Sequence, residues 1–162
     1  MLNRFAALWL IIILLASCND ANMVYGDYKE LSDGWEKGQE VVFDFPAPDS
    51  TQVYDVFINL RNNEDYGFSN LFLIVNMNFP NGKVVADTLQ YQMAKASGEW
   101  LGQGFSSLKE NKLFYKEDIV FPELGNYKIA IQHAMRKNGN VEGVTTLEGV
   151  TDVGIRIEKS AK

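Results

Sequence analysis

The stretch Leu71-Phe72-Leu73-Ile74-Val75-Asn76-Met77-Asn78-Phe79-Pro80-Asn81-Gly82-Lys83-Val84-Val85-Ala86-Asp87-Thr88-Leu89-Gln90-Tyr91-Gln92-Met93 decides the fold. Leu71, Leu73, Val75, Met77 and Phe79 share one face at a period of two, as a half-buried strand requires. Asn81-Gly82 then separates this run from Val84 to Met93. Asn-Gly between two alternating runs predicts a hairpin, because both residues tolerate the positive φ of a type I′ turn. Working outward, Tyr54, Val56, Ile58 and Leu60 face one way and Asp55, Asn59 and Arg61 the other, interrupted only by Phe57. Gln39 to Phe45 alternates too, and Pro46-Ala47-Pro48 stops it, since proline cannot donate to a ladder.

Downstream, Ala94 to Lys109 loses the alternation around Gly98, Trp100, Gly102 and Gly104, and reads as loop. Leu113 to Phe121 resumes it until Pro122, and Tyr127, Ile129 and Ile131 share a face in the next run. Val153, Ile155 and Ile157 point inward in the last run, opposite Asp152, Arg156 and Glu158. Met23 to Leu31 is either a first strand or an arm. With no helical period, the pattern predicts an all-β, antiparallel, immunoglobulin-like β-sandwich of about seven or eight strands. Gly125-x-Tyr127 resembles the tyrosine corner of such sandwiches, in which the phenol bonds back to the chain upstream.

The beginning of the chain has a different character. Arg4 precedes an uncharged apolar run, Phe5 to Leu15, followed by Ala16, Ser17 and the only cysteine, Cys18. A membrane-spanning helix needs about 20 apolar residues, so this run has the length of a signal-peptide core. Leu15-Ala16-Ser17-Cys18 resembles a bacterial lipobox, which implies cleavage between Ser17 and Cys18 and acylation of the cysteine. The expected organisation is a lipoprotein signal peptide at 1–17, a lipidated cysteine and short tether at 18–22, and one domain at 23–159. Removing residues 1–17 from the 162 leaves 145, which suits a single domain. With Cys18 acylated, no thiol remains for a disulfide, so the core alone must hold the fold.

Net charge is −6 at pH 7, and loss of Arg4 makes it more negative. That balance argues against nucleic acid as a partner, because phosphates demand clustered Lys and Arg. It also leaves the lipid, rather than surface charge, to hold the membrane. Catalytic chemistry is sparse. His133 is the only histidine, shares parity with Ile131 and Met135, and reads as a structural residue near a strand end. A zinc site needs three or four ligands that this chain does not offer, and no phosphate-cradling glycine motif is present, so neither metal nor cofactor is expected. The expected class is non-enzymatic.

Arg61, Tyr66, Asn70, Trp100 and Arg136 are the candidate contact residues, in or beside loops. Arg, Tyr and Trp are enriched at binding hot spots. The same residues have a plainer reading, in which the arginines pair with Glu64, Asp65 or other acids while Tyr66 and Trp100 cover one end of the core. Tyr66 and Trp100 could equally serve as stacking platforms for sugars, which makes a glycan-binding outer-membrane lipoprotein of polysaccharide uptake the alternative function.

Several stretches, in order, resemble the gliding-motility lipoprotein family GldH of Bacteroidetes. They are the lipobox, Asn59-Leu60-Arg61-Asn62 with Tyr66 and Ser69-Asn70-Leu71, and Gly98-Glu99-Trp100-Leu101-Gly102. Gly125-Asn126-Tyr127 leading to Gln132-His133-Ala134-Met135-Arg136, and Asp152-Val153-Gly154-Ile155-Arg156-Ile157-Glu158, complete the set. The resemblance implies a non-catalytic envelope lipoprotein, an accessory or scaffold component working with other gliding lipoproteins and secretion-ring proteins of the type IX apparatus. It carries over no site residue except Cys18. The segment after Cys18 lacks the acidic cluster resembling a surface-export signal, which implies the periplasmic face of the outer membrane.

Overall fold

The structure is a computed structural model that describes residues 21–161; Ser17, Cys18 and the signal segment lie outside the described residues. Ten strands follow in order: β1 (Met23–Glu30), β2 (Trp35–Glu36), β3 (Val41–Pro46), β4 (Tyr54–Asn62), β5 (Asn70–Asn78), β6 (Val84–Gln92), β7 (Lys109–Ile119), β8 (Asn126–His133), β9 (Thr146–Leu147) and β10 (Val150–Lys159). One sheet has the order β1-β10-β4-β7, a second has β3-β8-β5-β6, and β2 pairs with β9. The antiparallel sandwich is as the alternation predicts. Its connections follow a jelly roll rather than an immunoglobulin domain, because the chain pairs with itself as one nested ribbon.

The nesting is explicit in the register. Leu73 faces Leu89 across β5–β6, Ile58 faces Leu113 across β4–β7, and Phe43 faces Ile129 across β3–β8. Trp35 then faces Leu147, and Asp27 faces Ile155 across β1–β10. Each pair encloses the one before, and the tip of the ribbon is the predicted Asn81-Gly82 hairpin. Two further ladders seal the rolled ribbon: Ile155 against Ile58 across β10–β4, and Val75 against Ile131 across β5–β8.

The turn at the tip departs from type I′. The Gly82 N–H donates to the Phe79 carbonyl at 2.9 Å, and the Phe79 N–H to the Lys83 carbonyl at 2.8 Å. Gly82 alone in the turn has positive φ, +87°. This is a three-residue loop, a type I turn closed by a left-handed glycine. Pro80 explains it: its locked negative φ suits the first central position of a type I turn and brings Pro80 into the loop.

Inward residues of both sheets form the core, with Val56, Ile58, Leu60, Leu71, Leu73, Val75, Ile129, Ile131, Val153, Ile155 and Ile157 fully buried. The outward face of β4 is buried as well. Phe57 lies under Phe114, centroids 4.4 Å apart, with Lys112 Nζ 4.0 Å from its ring centre. Asn59 is covered by Tyr28, to whose hydroxyl its Nδ2 donates at 2.7 Å. The break that Phe57 makes in the alternation therefore marks a strand packed on both faces. β7 begins at Lys109, earlier than its apolar pattern, since Lys109 to Lys112 offer no hydrophobic residue. There Asn111 turns inward and donates to Asn62 Oδ1 at 2.9 Å and to the Leu60 carbonyl at 3.1 Å.

Register also sorts the loops between two ends. At the Met23 end lie the starts of β1, β4, β6 and β8 and the ends of β3, β5, β7 and β10. Phe45, Tyr54, Phe79, Phe121 and Tyr127 plug this end, Phe121 and Tyr127 meeting edge to face at 5.0 Å. The Tyr127 hydroxyl accepts the Glu123 N–H at 3.2 Å, so the phenol does bond back upstream, four residues away. At the opposite, Asn70 end lie the loops 63–69, 93–108 and 134–145.

Gly82→Ala forces an alanine into the left-handed region and is expected to lower stability by about 1–2 kcal/mol. Gly82→Asn should be milder because asparagine tolerates that region. Urea-denaturation midpoints read both, and a Gly82→Ala midpoint equal to that of the parent chain would show that the tip demands no left-handed residue.

Candidate functional site at the Asn70 end

The candidate contact residues divide into three settings. Arg61 leaves the outer face of β4 and is engaged: its Nε donates to Glu110 Oε2 at 3.1 Å and its guanidinium lies 3.9 Å from Asp152. It also sits 4.3 Å over the Tyr28 ring, whose hydroxyl donates to Glu110 Oε1 at 2.8 Å. Its acidic partners are therefore Glu110 and Asp152 across the sheet, not the neighbouring Glu64 or Asp65.

Tyr66 and Trp100 cover the core. Tyr66 is 2% exposed, and its hydroxyl donates to the Asn70 carbonyl at 2.7 Å. Burial pushes its phenol pKa well up. Trp100 and Phe68 each lie 6.0 Å from the Tyr66 ring. The backbone leaves no slack: Gly149, at φ +79°, approaches so closely that a Cβ there would fall 2.1 Å from the Tyr66 nitrogen. A buried Tyr66 offers no ring face to a sugar.

Asn70 and Arg136 are the two candidates that the fold brings together on a free surface. The outward parity of β5 presents Asn70 and Phe72, and the Ala134 N–H donates to the Phe72 carbonyl at 2.8 Å, which carries the chain on to Arg136. Between them runs an open groove of about 850 Å³, completed by Gln90 and Gln92 from the edge strand β6 and by Asn138. Its lining includes Lys95, Arg136 and Lys137 and no carboxylate. Lys95 bonds Glu99 at 2.8 Å, whereas Arg136 and Lys137 form no ion pair among the described residues. On a chain of net charge −6, that is a local reversal of sign.

Phe105, at the same end, was not legible as a contact residue. It is 99% exposed in the loop 93–108. Gly104 (φ +150°) and Ser106 (φ +65°) flank it, and Lys109 Nζ holds the Gly104 carbonyl at 2.9 Å. The signal available was an aromatic residue beside a glycine with no alternating partner. Phe72, Gln90 and Gln92 required strand parity plus knowledge of which sheet face they share.

His133 ends β8, 4% exposed, with the Trp35 ring 5.6 Å away and the Met135 N–H donating to its Nδ1 at 3.4 Å. Burial lowers its pKa from 6.5, partly opposed by the backbone of Trp35 and Glu36. Above pH 6.5 the ring is neutral folded or unfolded. As pH falls below 6.5 the unfolded chain binds a proton that the folded chain refuses, so stability drops until the folded pKa is passed. The urea midpoint should therefore fall between about pH 7.5 and pH 5.5, either side of histidine's ordinary value. His133→Gln should shrink that fall; an unchanged pH difference would show that other groups cause it.

Among the described residues no group of three or more His, Cys, Asp or Glu side chains could hold a metal. Residues 23–157 match the GldH lipoprotein family. The gliding motility lipoprotein GldH homolog of Christiangramia forsetii is 57% identical over 149 residues, 92% of this chain and 91% of that one. The gliding motility lipoprotein GldH of Flavobacterium johnsoniae is 49% identical over 152 residues, 94% of each. A solved structure of the infectious bursal disease virus VP2 subviral particle aligns at TM-score 0.42 and 14% identity, covering 86% of this chain and 33% of that chain, a likeness that carries no argument. On the family match and these two relatives, the chain belongs to the GldH family of gliding motility lipoproteins.

Proposed function

We propose that this protein is a lipid-anchored, non-catalytic accessory or scaffold component of the gliding motility and type IX secretion machinery. In this reading, acylated Cys18 confines it to the periplasmic face of the outer membrane, and the Asn70 end receives other gliding lipoproteins or secretion-ring proteins. Confinement to a surface raises its effective concentration near partners confined to the same surface. The observation that carries the reading is the groove between Asn70 and Arg136, cationic and amide-lined on an acidic protein. Complementary potentials of this kind set partner choice and encounter rate. Phe105 adds an exposed aromatic anchor at the same end. The favoured partner surface is thus acidic with an apolar recess.

Labelled palmitate should enter the native protein and be lost in Cys18→Ala. Full incorporation into the variant would dismiss the lipid anchor. Acylated protein drawn from mild detergent should recover named envelope lipoproteins or ring proteins. Arg136→Glu with Phe105→Ala should reduce that recovery about tenfold, as loss of an interface anchor does. Undiminished recovery would place the contact elsewhere. A glycan array with Cys18 replaced tests the alternative, and clear saccharide binding would displace the scaffold reading.

A further inference from the structure

We infer that the Met23 end of the sandwich rests on the lipid bilayer, so that the groove at the Asn70 end points away from it; this rests on the acylation of Cys18 proposed above. β1 starts at Met23, five residues after Cys18. A chain spans at most about 3.6 Å per residue, so the lipidated sulfur and the first strand stay within about 18 Å of each other. β4 runs the length of the sandwich in nine residues, whose eight steps of about 3.3 Å separate the two ends by about 26 Å. The tether is shorter than the body it holds.

Reach alone would let the body lie on its side. Reach excludes the Asn70 end, where Phe105, Val141, Leu101 and Leu108 are exposed too, and surface chemistry decides between the Met23 end and the flanks. Leu124 is 88% exposed, and Val120, Met23 and Val53 are 45%, 43% and 41% exposed. Topology puts all four at the Met23 end. Val53 precedes β4, Val120 and Leu124 lie between β7 and β8, and the Lys159 and Ser160 N–H groups bond the Asn22 and Val53 carbonyls. Four carboxylates at this end are engaged within the protein, while Glu117 is exposed. Asp49 accepts from Thr51, Asp55 from the Asp118 N–H, Asp118 from the Ser160 hydroxyl, and Glu123 from Asn81.

The sheet faces suit a bilayer less well. The outer face of β1-β10-β4-β7 carries Arg61, Glu110, Lys112, Arg156 and Glu158, with Lys112 Nζ 2.8 Å from Glu158. Lying on that face would strip water from a lattice of ion pairs. The opposite outer face sets Phe72 and Ile74 among Asn70, Asn76, Asn78, Gln90, Gln92 and Gln132, whose amides lose water contacts in an apolar layer. An apolar fringe of separate side chains at headgroup depth avoids both penalties.

The test uses acylated full-length protein with Leu124→Cys or Phe105→Cys, each labelled with a polarity-sensitive fluorophore. The Cys18 sulfur is taken up in the lipid thioether, so the label goes to the introduced thiol. In phosphatidylethanolamine–phosphatidylcholine vesicles containing headgroup-region spin-labelled lipid, the label at position 124 should shift to the blue and lose intensity to the quencher. The label at 105 should do neither. Equal responses, or a stronger one at 105, would overturn the inference while leaving the anchor intact. Failure of the protein to float with the vesicles would overturn the acylation reading, and this inference with it.

Discussion

The nested antiparallel pairing of the chain about Pro80-Asn81-Gly82 is the constraint from which the rest of the structure follows. Once the tip is closed, each successive pair brings together residues progressively more distant in sequence, from Leu73–Leu89 to Asp27–Ile155. Loop closure grows only slowly more expensive with length, and each inner ladder shortens the loop that the next must close. Successive pairs of the ribbon fall alternately into the two sheets when it rolls, and β4, β5, β8 and β10 acquire partners on both sides. No disulfide assists, since Cys18 is the only cysteine, so ladder and core together hold the fold.

Rolling a ribbon creates two open ends, and this chain closes each with aromatic residues. At the Met23 end, Phe45, Tyr54, Phe79, Phe121 and Tyr127 interlock. At the Asn70 end, Trp35 is fully buried with its indole N–H on the Gln39 carbonyl at 3.0 Å, beside His133. Tyr66 and Trp100 complete the closure. These plugs leave the surrounding loops free for contact without opening the core. The difference between the two ends is therefore built into the topology rather than into any one loop.

Legibility of the site varied with the kind of information each residue carries. Asn70 and Arg136 were identifiable as polar residues beside loops, and they meet in one groove because β5 and β8 are adjacent. Tyr66 and Trp100 had the composition of contact residues but the geometry of a plug, a distinction that depends on what packs over them. Arg61 looked available for the same reason. Its partners Glu110 and Asp152 are 49 and 91 positions away, joined to it only by the pairing of β4 with β7 and β10.

Alternation by itself determined which side chains of each strand face the core, because the two-residue period of a strand is local. Asn81-Gly82 determined where the chain turns back, although Pro80 drew the turn into a different type. The acidic balance, the shortage of metal-ligating or nucleophilic residues, and the resemblance of Leu15-Ala16-Ser17-Cys18 to a lipobox were equally local or compositional. Connection order, the burial of both faces of β4, the cationic groove and the exposure of Phe105 and Leu124 were decided only by the tertiary structure. The physical reason is that period-two patterning assigns a face to each residue but says nothing about which strand lies beside it. Neighbours come from how the ribbon rolls, and a site assembled from neighbours exists only after it has.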